Sequence, residues 1–213
     1  MRIWLRDAPG VLAAVAAEIG AVNGNVVGLE VLERESGVAI DEVVVELPDD
    51  PGVVDAMCKG IRNVPGAGVE NVQELVTAVP NREDTVLSAA VAILQAATPT
   101  AAMNALTGQL MALFDLAWLA LADLSVAAFV EVHGDVPSVQ WVTAFAEGSR
   151  SGADPANDTT RTGVFVEAIP DTELTVCGGR STAIRRRERD EIAMLAAVTA
   201  RVVDALGRRA YSG

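Results

Sequence analysis

A proline-glycine pair that separates a strand pattern from a helix pattern is the feature that most constrains this 213-residue chain. An apolar strand containing Ile3 and Leu5 ends at Arg6-Asp7, and Pro9-Gly10 then opens an alanine-rich helix. The first N–H groups of a helix have no partner inside it, and with the positive end of the helix dipole they favour an anion. The corner is therefore a candidate site for a group such as an amino-acid carboxylate.

Polar residues near this corner allow two interpretations. Asp7 would hold an ammonium group, and the side-chain amide of Asn25 offers both a donor and an acceptor, which together suit a zwitterion. Alternatively, Asp7 would cap the helix by accepting from the Gly10 N–H, and Asn23-Gly24 would be an ordinary turn. The residues alone leave both interpretations open.

The first 79 residues predict the order strand, helix, strand, strand, helix, strand. After the first helix, Val27, Leu29 and Val31 alternate as in a half-buried strand. The remaining elements are a strand at Val38–Leu47, a helix with Val53, Val54, Met57 and Ile61, and a strand at Val69–Val79. This is the order of a ferredoxin-like unit, a four-stranded antiparallel sheet with both helices on one face.

The sequence Asp-x-Pro-Gly-Val-Leu, a helix, Asn-Gly-Asn-Val-Val, a hairpin, a second helix and a final strand resembles an ACT domain. The resemblance covers residues 1–78 and implies a module that senses amino acids. In that family the effector lies between this helix start and a neighbouring ACT domain, so the resemblance implies a homodimer. The contacts it implies are Asp7, Pro9, Gly10, Val11, Leu12 and Asn25.

A polar break at Pro80–Asp84 predicts two domains, residues 1–79 and 80–213. The second domain starts with a helix at Thr85–Ala97, and a further helix restarts at Thr98-Pro99-Thr100. The later predictions are strands at Ala117–Ala122 and Ser125–Val132, a helix at Val136–Gly148, a mobile loop at Gly148–Arg161, a hairpin of Gly163–Pro170 with Thr172–Gly178, and a helix at Glu188–Leu206.

This order resembles a GAF domain over about residues 83–208. The resemblance is strongest at Leu174-Thr175-Val176-Cys177, a Gly-Gly-Arg turn and the charged run that opens the last helix. The copy is short, which favours a role in dimerisation over a ligand pocket. The predicted fold class is therefore α+β, a ferredoxin-like ACT domain followed by a GAF-like domain with an antiparallel sheet and long flanking helices.

The composition and charge of the chain argue against some classes of binding partner. The net charge is -13, from 29 acidic and 16 basic residues, which argues against nucleic acid and anionic membranes. The basic run Arg185–Arg189 is interpreted as a solvated helix turn or an interface. Polar residues interrupt the uncharged stretch Thr85–Phe114, so no membrane span is expected. Two cysteines, Cys58 and Cys177, and a start without a leader pattern predict a cytoplasmic protein.

Catalytic chemistry is not expected. His133 is the single histidine and has no Cys or His at ligand spacing, so no metal and no cofactor are predicted. Nothing in the sequence places Cys177 or Ser181 beside His133, so no pair of nucleophile and base is predicted. Gly178-Gly179-Arg180 lacks the Gly-Lys-Thr/Ser end of a phosphate loop and is interpreted as a turn.

The function expected from the sequence is that of a non-enzymatic regulatory homodimer. Its ACT domain would sense a small amino acid, and its GAF-like domain would serve dimerisation or signal output. Two alternatives remain at this stage, a module for dimerisation and protein interaction that binds no ligand, and an enzyme of unrecognised type.

Overall fold

The structure, a computed structural model, describes residues 1–74, 82–151 and 163–210. Within those residues the chain is α+β, with six helices and two four-stranded antiparallel sheets. It divides into two compact units, Met1–Asn81 and Arg82–Gly213.

The first unit has the predicted element order. Its elements are β1 (Arg2–Arg6), α1 (Val11–Ala21), β2 (Asn25–Glu35), β3 (Val38–Glu46), α2 (Val53–Asn63) and β4 (Ala67–Asn71). The strands lie in the order β2-β3-β1-β4, and every neighbouring pair is antiparallel. The strand β1 therefore lies in the middle of the sheet, between β3 and β4, and its C-terminal end leads directly into α1.

One core joins this sheet to its two helices. In α1 the residues Val11, Val15 and Ile19 are buried, because a spacing of four residues places them on one side of the helix. In α2 the buried residues Met57 and Ile61 have the same spacing.

The last predicted strand is shorter than expected. β4 begins two residues before Val69 and ends at Asn71, because its partner β1 has only five residues and pairs Arg2 with Asn71. The part of the prediction that covers residues 75–79 lies outside the described residues.

The second unit contains the remaining elements. These are α3 (Arg82–Leu94), α4 (Pro99–Leu113), β5 (Trp118–Asp123), β6 (Ala128–Gly134), α5 (Val139–Ser151), β7 (Val164–Ala168), β8 (Leu174–Gly179) and α6 (Arg186–Ala210). The strand order is β6-β5-β8-β7. Side chains of α3, α4 and α6 form the large core with one face of the sheet, and Val142 of α5 packs with Ala120 and Cys177 of the other face.

Several boundaries in this unit differ from the predictions for local reasons. Asp123 accepts from the N–H and hydroxyl of Ser125, so the turn lengthens and β6 begins at Ala128. The Ser138 hydroxyl accepts from the Trp141 N–H, and α5 therefore begins at Val139. Residues 148–151, predicted as loop, are the last turn of α5, and the rest of that predicted loop lies outside the described residues. The predicted helix restart is confirmed, since Thr98 caps α4 by accepting from the Ala101 N–H at 3.1 Å.

Candidate functional site

The corner between β1 and α1 is held by backbone hydrogen bonds on its strand side. The Asp7 N–H donates to the Gly37 carbonyl at 2.8 Å, and the Ala8 N–H donates to the Arg6 carbonyl at 2.8 Å. Gly10 then adopts φ 89°, a left-handed conformation that favours glycine, and α1 starts at the next residue. The corner is therefore a fixed turn whose far side is the open start of a helix.

The helix start keeps unused donors. The Ala14 N–H donates to the Gly10 carbonyl at 3.0 Å, and the Val11 N–H makes a long bond of 3.4 Å to the Ala8 carbonyl. Among the described residues, the N–H groups of Gly10, Leu12 and Ala13 have no protein acceptor. They are available to an anion.

Asp7 does not cap this helix. Gly10 occupies the cap position, and no side chain accepts from the first turn. The Asp7 carboxylate instead lies 3.3 Å from the Arg34 Nε on β2. The interpretation of Asp7 as a helix cap is therefore wrong.

A cleft of about 370 Å³ lies against this corner. Its volume is within the usual range for small-molecule sites. Arg6, Asp7, Gly10, Arg34 and Asp41 bring polar groups to it. The apolar wall consists of Leu5, Ala8, Pro9, Leu12, Leu29, Val31 and Ala39. The cleft thus combines charged groups of both signs with an aliphatic surface.

Asp41 is the most unusual residue of the cleft. It is only 3% exposed, and its Oδ1 has no hydrogen-bond partner among the described residues. It pairs with the buried Ile3 of β1 and with Val31 of β2, so it lies on the sheet face that α1 and α2 cover. Burial raises the pKa of Asp41, while Arg34 opposes that shift and the Asp7 charge adds to it.

The structure brings together four of the six residues predicted to bind the ligand. Asp7, Pro9, Gly10 and Leu12 line the cleft.

The other two predicted residues lie elsewhere. The Val11 side chain is buried in the core at 8% exposure, because it belongs to the inward stripe of α1. The Asn25 side chain does not line the cleft and donates to Glu46 at 3.5 Å, because β2 begins at Asn25 beside the end of β3.

Sequence reasoning missed Arg34 and Asp41. In the strand Val38–Glu46, Asp41 alternates with Ala39 and Val43, which are both buried. A carboxylate on the apolar side of a strand was the signal that could have found it, because such a position is costly unless the charge has a partner. No comparable pattern marks Arg34.

The second unit does not join its histidine to its cysteine. His133 pairs with Leu119 of β5, and Cys177 pairs with the next residue, Ala120. Successive residues of a strand point to opposite faces, so the two side chains lie on opposite sides of the sheet. Burial raises the pKa of the Cys177 thiol to about 12, and that thiol donates to the Ala120 carbonyl.

His133 instead contacts a carboxylate on its own strand. Its Nε2 lies 2.6 Å from the Glu131 Oε1, which also accepts from the Thr107 hydroxyl at 3.0 Å. In the part of the chain that the structure describes, no group of three or more potential metal ligands is present.

The residues around the Gly-Gly-Arg sequence form a buried ionic network. Gly178 and Gly179 end β8, and the Arg180 guanidinium donates to the Phe114 and Ala183 carbonyls and to Glu188. Arg180 is therefore fully engaged by the protein itself.

The same network continues along α3 and α6. Arg82 makes a bidentate contact with Glu191, from Nε to Oε1 and from Nη2 to Oε2, and lies 3.8 Å from Glu188. Arg187 contacts Glu191 at 3.3 Å, and Arg189 donates to the Val164 carbonyl. The predicted basic run is thus largely part of the internal packing of this unit.

Comparison of the chain with protein-family models, with curated proteins and with solved structures finds no match. No helix among residues 1–74, 82–151 and 163–210 is both long enough and apolar enough to cross a membrane.

Proposed function

We propose that the first unit is a ferredoxin-like ACT domain that senses a small amino acid, and that the chain is a non-enzymatic regulatory protein. The second unit would be a GAF-like domain for dimerisation or signal output. The protein would act as a homodimer in which ligand binding changes the surface offered to a downstream partner.

The observation that carries this proposal is the pairing of opposite polarities within one cleft. Unused N–H groups of Gly10 and Leu12 offer partial positive charge, and Asp41 contributes a buried carboxylate whose Oδ1 has no hydrogen-bond partner among the described residues. An amino acid has one anionic and one cationic end, so it matches both groups at once. An anion or a cation alone would match only one of the two groups.

Ligand binding at this corner would regulate the protein by changing its conformation. A ligand that contacts both the helix start and β3 would tie the turn from Pro9 to Leu12 to the sheet. It would thereby favour the conformation that binds it, by as much as its affinities for the two conformations differ. A partner that contacts this corner would then bind with altered affinity.

Calorimetric titration of the full chain with each of the twenty amino acids tests the proposal. One amino acid, or a few of similar chemistry, should bind. Asp7→Ala should weaken that binding, because Arg34 loses its pair with Asp7 and then competes with the ligand for Asp41. Asp49→Ala is the matched control, since Asp49 is an exposed acid that does not line the cleft. Absence of binding by all twenty would reject the sensing role.

A second candidate is a ligand-free assembly module, and one observation favours it. β2 is an edge strand of the first sheet, and its Val27, Leu29 and Val31 are each more than two-fifths exposed. Exposed apolar residues on an open strand edge favour pairing with another chain. A stable dimer that responds to no amino acid would support this candidate.

A further inference from the structure

The cleft carries an inference about which amino acids it accepts, and this inference rests on the proposed sensing function. We infer that Asp41 receives the ammonium group of the ligand, that the start of α1 receives its carboxylate, and that the cleft selects amino acids with small aliphatic side chains.

Most charged groups of the cleft already contact other parts of the protein. Asp7 and Arg34 lie 3.3 Å apart and offset each other. The Arg6 guanidinium lies against Gly66, where an added Cβ would be 3.1 Å from its Nε. Asp41 is therefore the acid of the cleft whose Oδ1 has no hydrogen-bond partner among the described residues, although Arg34 acts on its charge from a distance.

Asp41 needs a cationic partner more than any surface acid does. A buried carboxylate oxygen without a hydrogen bond is unfavourable, and the raised pKa of Asp41 expresses the same cost. An ammonium group that enters the cleft would supply a charge-assisted hydrogen bond, which is roughly twice as strong as a neutral one. The geometry assigns Asp41 to the ammonium end.

The opposite end of the ligand has a matching receptor. The N–H groups of Gly10, Leu12 and Ala13 have no acceptor among the described residues, and Gly10 and Leu12 line the same cleft. A carboxylate bound there would gain from the N-terminal end of the helix dipole. Both charged ends of one amino acid are then accommodated.

The remaining surface decides the side chain. Of the other charged groups that line the cleft, Asp7 and Arg34 pair with each other and Arg6 lies against Gly66. The remaining wall is aliphatic, and Leu12, Leu29 and Val31 are each about two-fifths exposed. An aliphatic side chain would cover these groups, whereas a charged side chain would lose its hydration without a partner.

The test compares L-valine with two analogues on the full chain by isothermal titration calorimetry. Isovalerate is valine without the ammonium group, and isobutylamine is valine without the carboxylate. Wild type should bind valine more tightly than either analogue. Asp41→Asn, which keeps the shape but removes the charge, should weaken valine binding roughly 10- to 100-fold and leave isovalerate binding unchanged.

Asp49→Asn is the control and should leave the affinity for valine unchanged, because Asp49 is exposed outside the cleft. A melting temperature of Asp41→Asn at or above that of wild type shows that the variant is folded. The affinity of wild type for valine should also fall as the pH approaches the raised pKa of Asp41, because a protonated carboxyl cannot pair with an ammonium group.

The outcomes separate this inference from the proposed function. Binding of an amino acid with a charged or polar side chain, but of no aliphatic one, would overturn the selectivity and keep the sensor. Equal binding of valine by wild type and Asp41→Asn would overturn the role of Asp41. If no amino acid binds wild type, the proposed function fails and the inference fails with it.

Discussion

Two buried carboxylates, one in each unit, have opposite surroundings. Glu188 of the second unit is 1% exposed and accepts from the Arg180 guanidinium at 2.6 Å and from the Arg185 N–H at 2.8 Å. Asp41 of the first unit is 3% exposed, and its Oδ1 accepts from no described group. The first acid serves the structure, because its charge is matched inside the protein.

A structural charge and a functional charge can be distinguished by the protein groups that surround each one. Burial of a charge costs free energy in both places. Glu188 receives direct hydrogen bonds from protein groups that compensate for this cost, whereas Arg34 offsets the charge of Asp41 only in part. A protein that keeps an uncompensated acid in an open cleft is less stable than it would otherwise be, which is common at functional sites. Changes at the two acids should therefore have opposite effects on stability.

The largest expected effect is the loss of the matched acid. Glu188→Gln removes the charge between Arg180 and Arg82, and it should lower the free energy of unfolding of the second unit by about 3–5 kcal/mol. Urea unfolding followed by tryptophan fluorescence measures this in a Trp4→Phe background, where Trp118 and Trp141 report on the second unit.

Asp171→Asn is its control. Asp171 and Arg201 lie 3.7 Å apart, and both side chains are about three-quarters exposed, so the loss should stay below about 0.5 kcal/mol. Similar losses for the two variants would remove the distinction between matched and surface charges.

The unmatched acid should give a gain. Asp41→Asn should raise the free energy of unfolding of the first unit at neutral pH by about 1–2 kcal/mol, because it removes a buried charge that Arg34 offsets only in part and whose Oδ1 has no hydrogen bond from any described residue.

The pH dependence of this gain has a defined sign. Burial raises the pKa of Asp41 in the folded state above the ordinary value of 3.8, so between these two values the folded state binds more protons than the unfolded state. Wild type therefore loses stability as the pH rises through that window. The gain from Asp41→Asn should be full above it and absent below pH 3.8, and thermal melting across the window measures it. A loss of stability at neutral pH would contradict the account.

The helix start should show a smaller effect. Gly10→Ala should cost about 1 kcal/mol, because Gly10 has φ 89° and the open space around it leaves backbone strain as the cost. Gly20→Ala is the matched control in the same helix, where an added Cβ also meets no atom and a gain of about 0.5 kcal/mol is expected. Thermal or urea unfolding of both variants measures these changes in stability. If both variants gain stability, or both lose it, the corner does not require its left-handed turn.

The smallest effect is expected at the exposed edge of the cleft. Arg34→Ala should change stability by less than about 0.5 kcal/mol, because Arg34 is 65% exposed and its pair with Asp7 is screened by solvent. It should nevertheless raise the pKa of Asp41 further, since Arg34 lowers it in wild type. A large loss of stability would mean that Arg34 is a structural residue.

Short sequence patterns predicted the order of helices and strands well, because the formation of each element depends mainly on neighbouring residues. The helix at Pro9-Gly10 and the restart at Thr98-Pro99 follow from backbone preferences that operate over a few positions. The register of β1 with β4 does not follow from such local preferences. The predicted bounds of β4 were therefore wrong. Strand ends depend on a partner strand that is remote in sequence.

The candidate site could be predicted only on its local side. Asp7, Gly10 and Leu12 are adjacent in sequence to the helix start that suggested a site. Arg34 and Asp41 reach the cleft through pairing of β2 and β3 with the strand before that helix. The lack of a partner for Asp41 is a property of three-dimensional packing, which no single strand pattern contains.

The most direct test of the account is an NMR titration of the Asp41 side-chain carboxyl, assigned by comparison with Asp41→Asn. The account predicts a pKa above 3.8 in the ligand-free protein and a lower pKa when L-valine is bound, because the ammonium group stabilises the ionised form. A pKa at or below 3.8 without ligand, or a pKa that valine leaves unchanged, would contradict the claim that Asp41 is an uncompensated acid kept for a ligand.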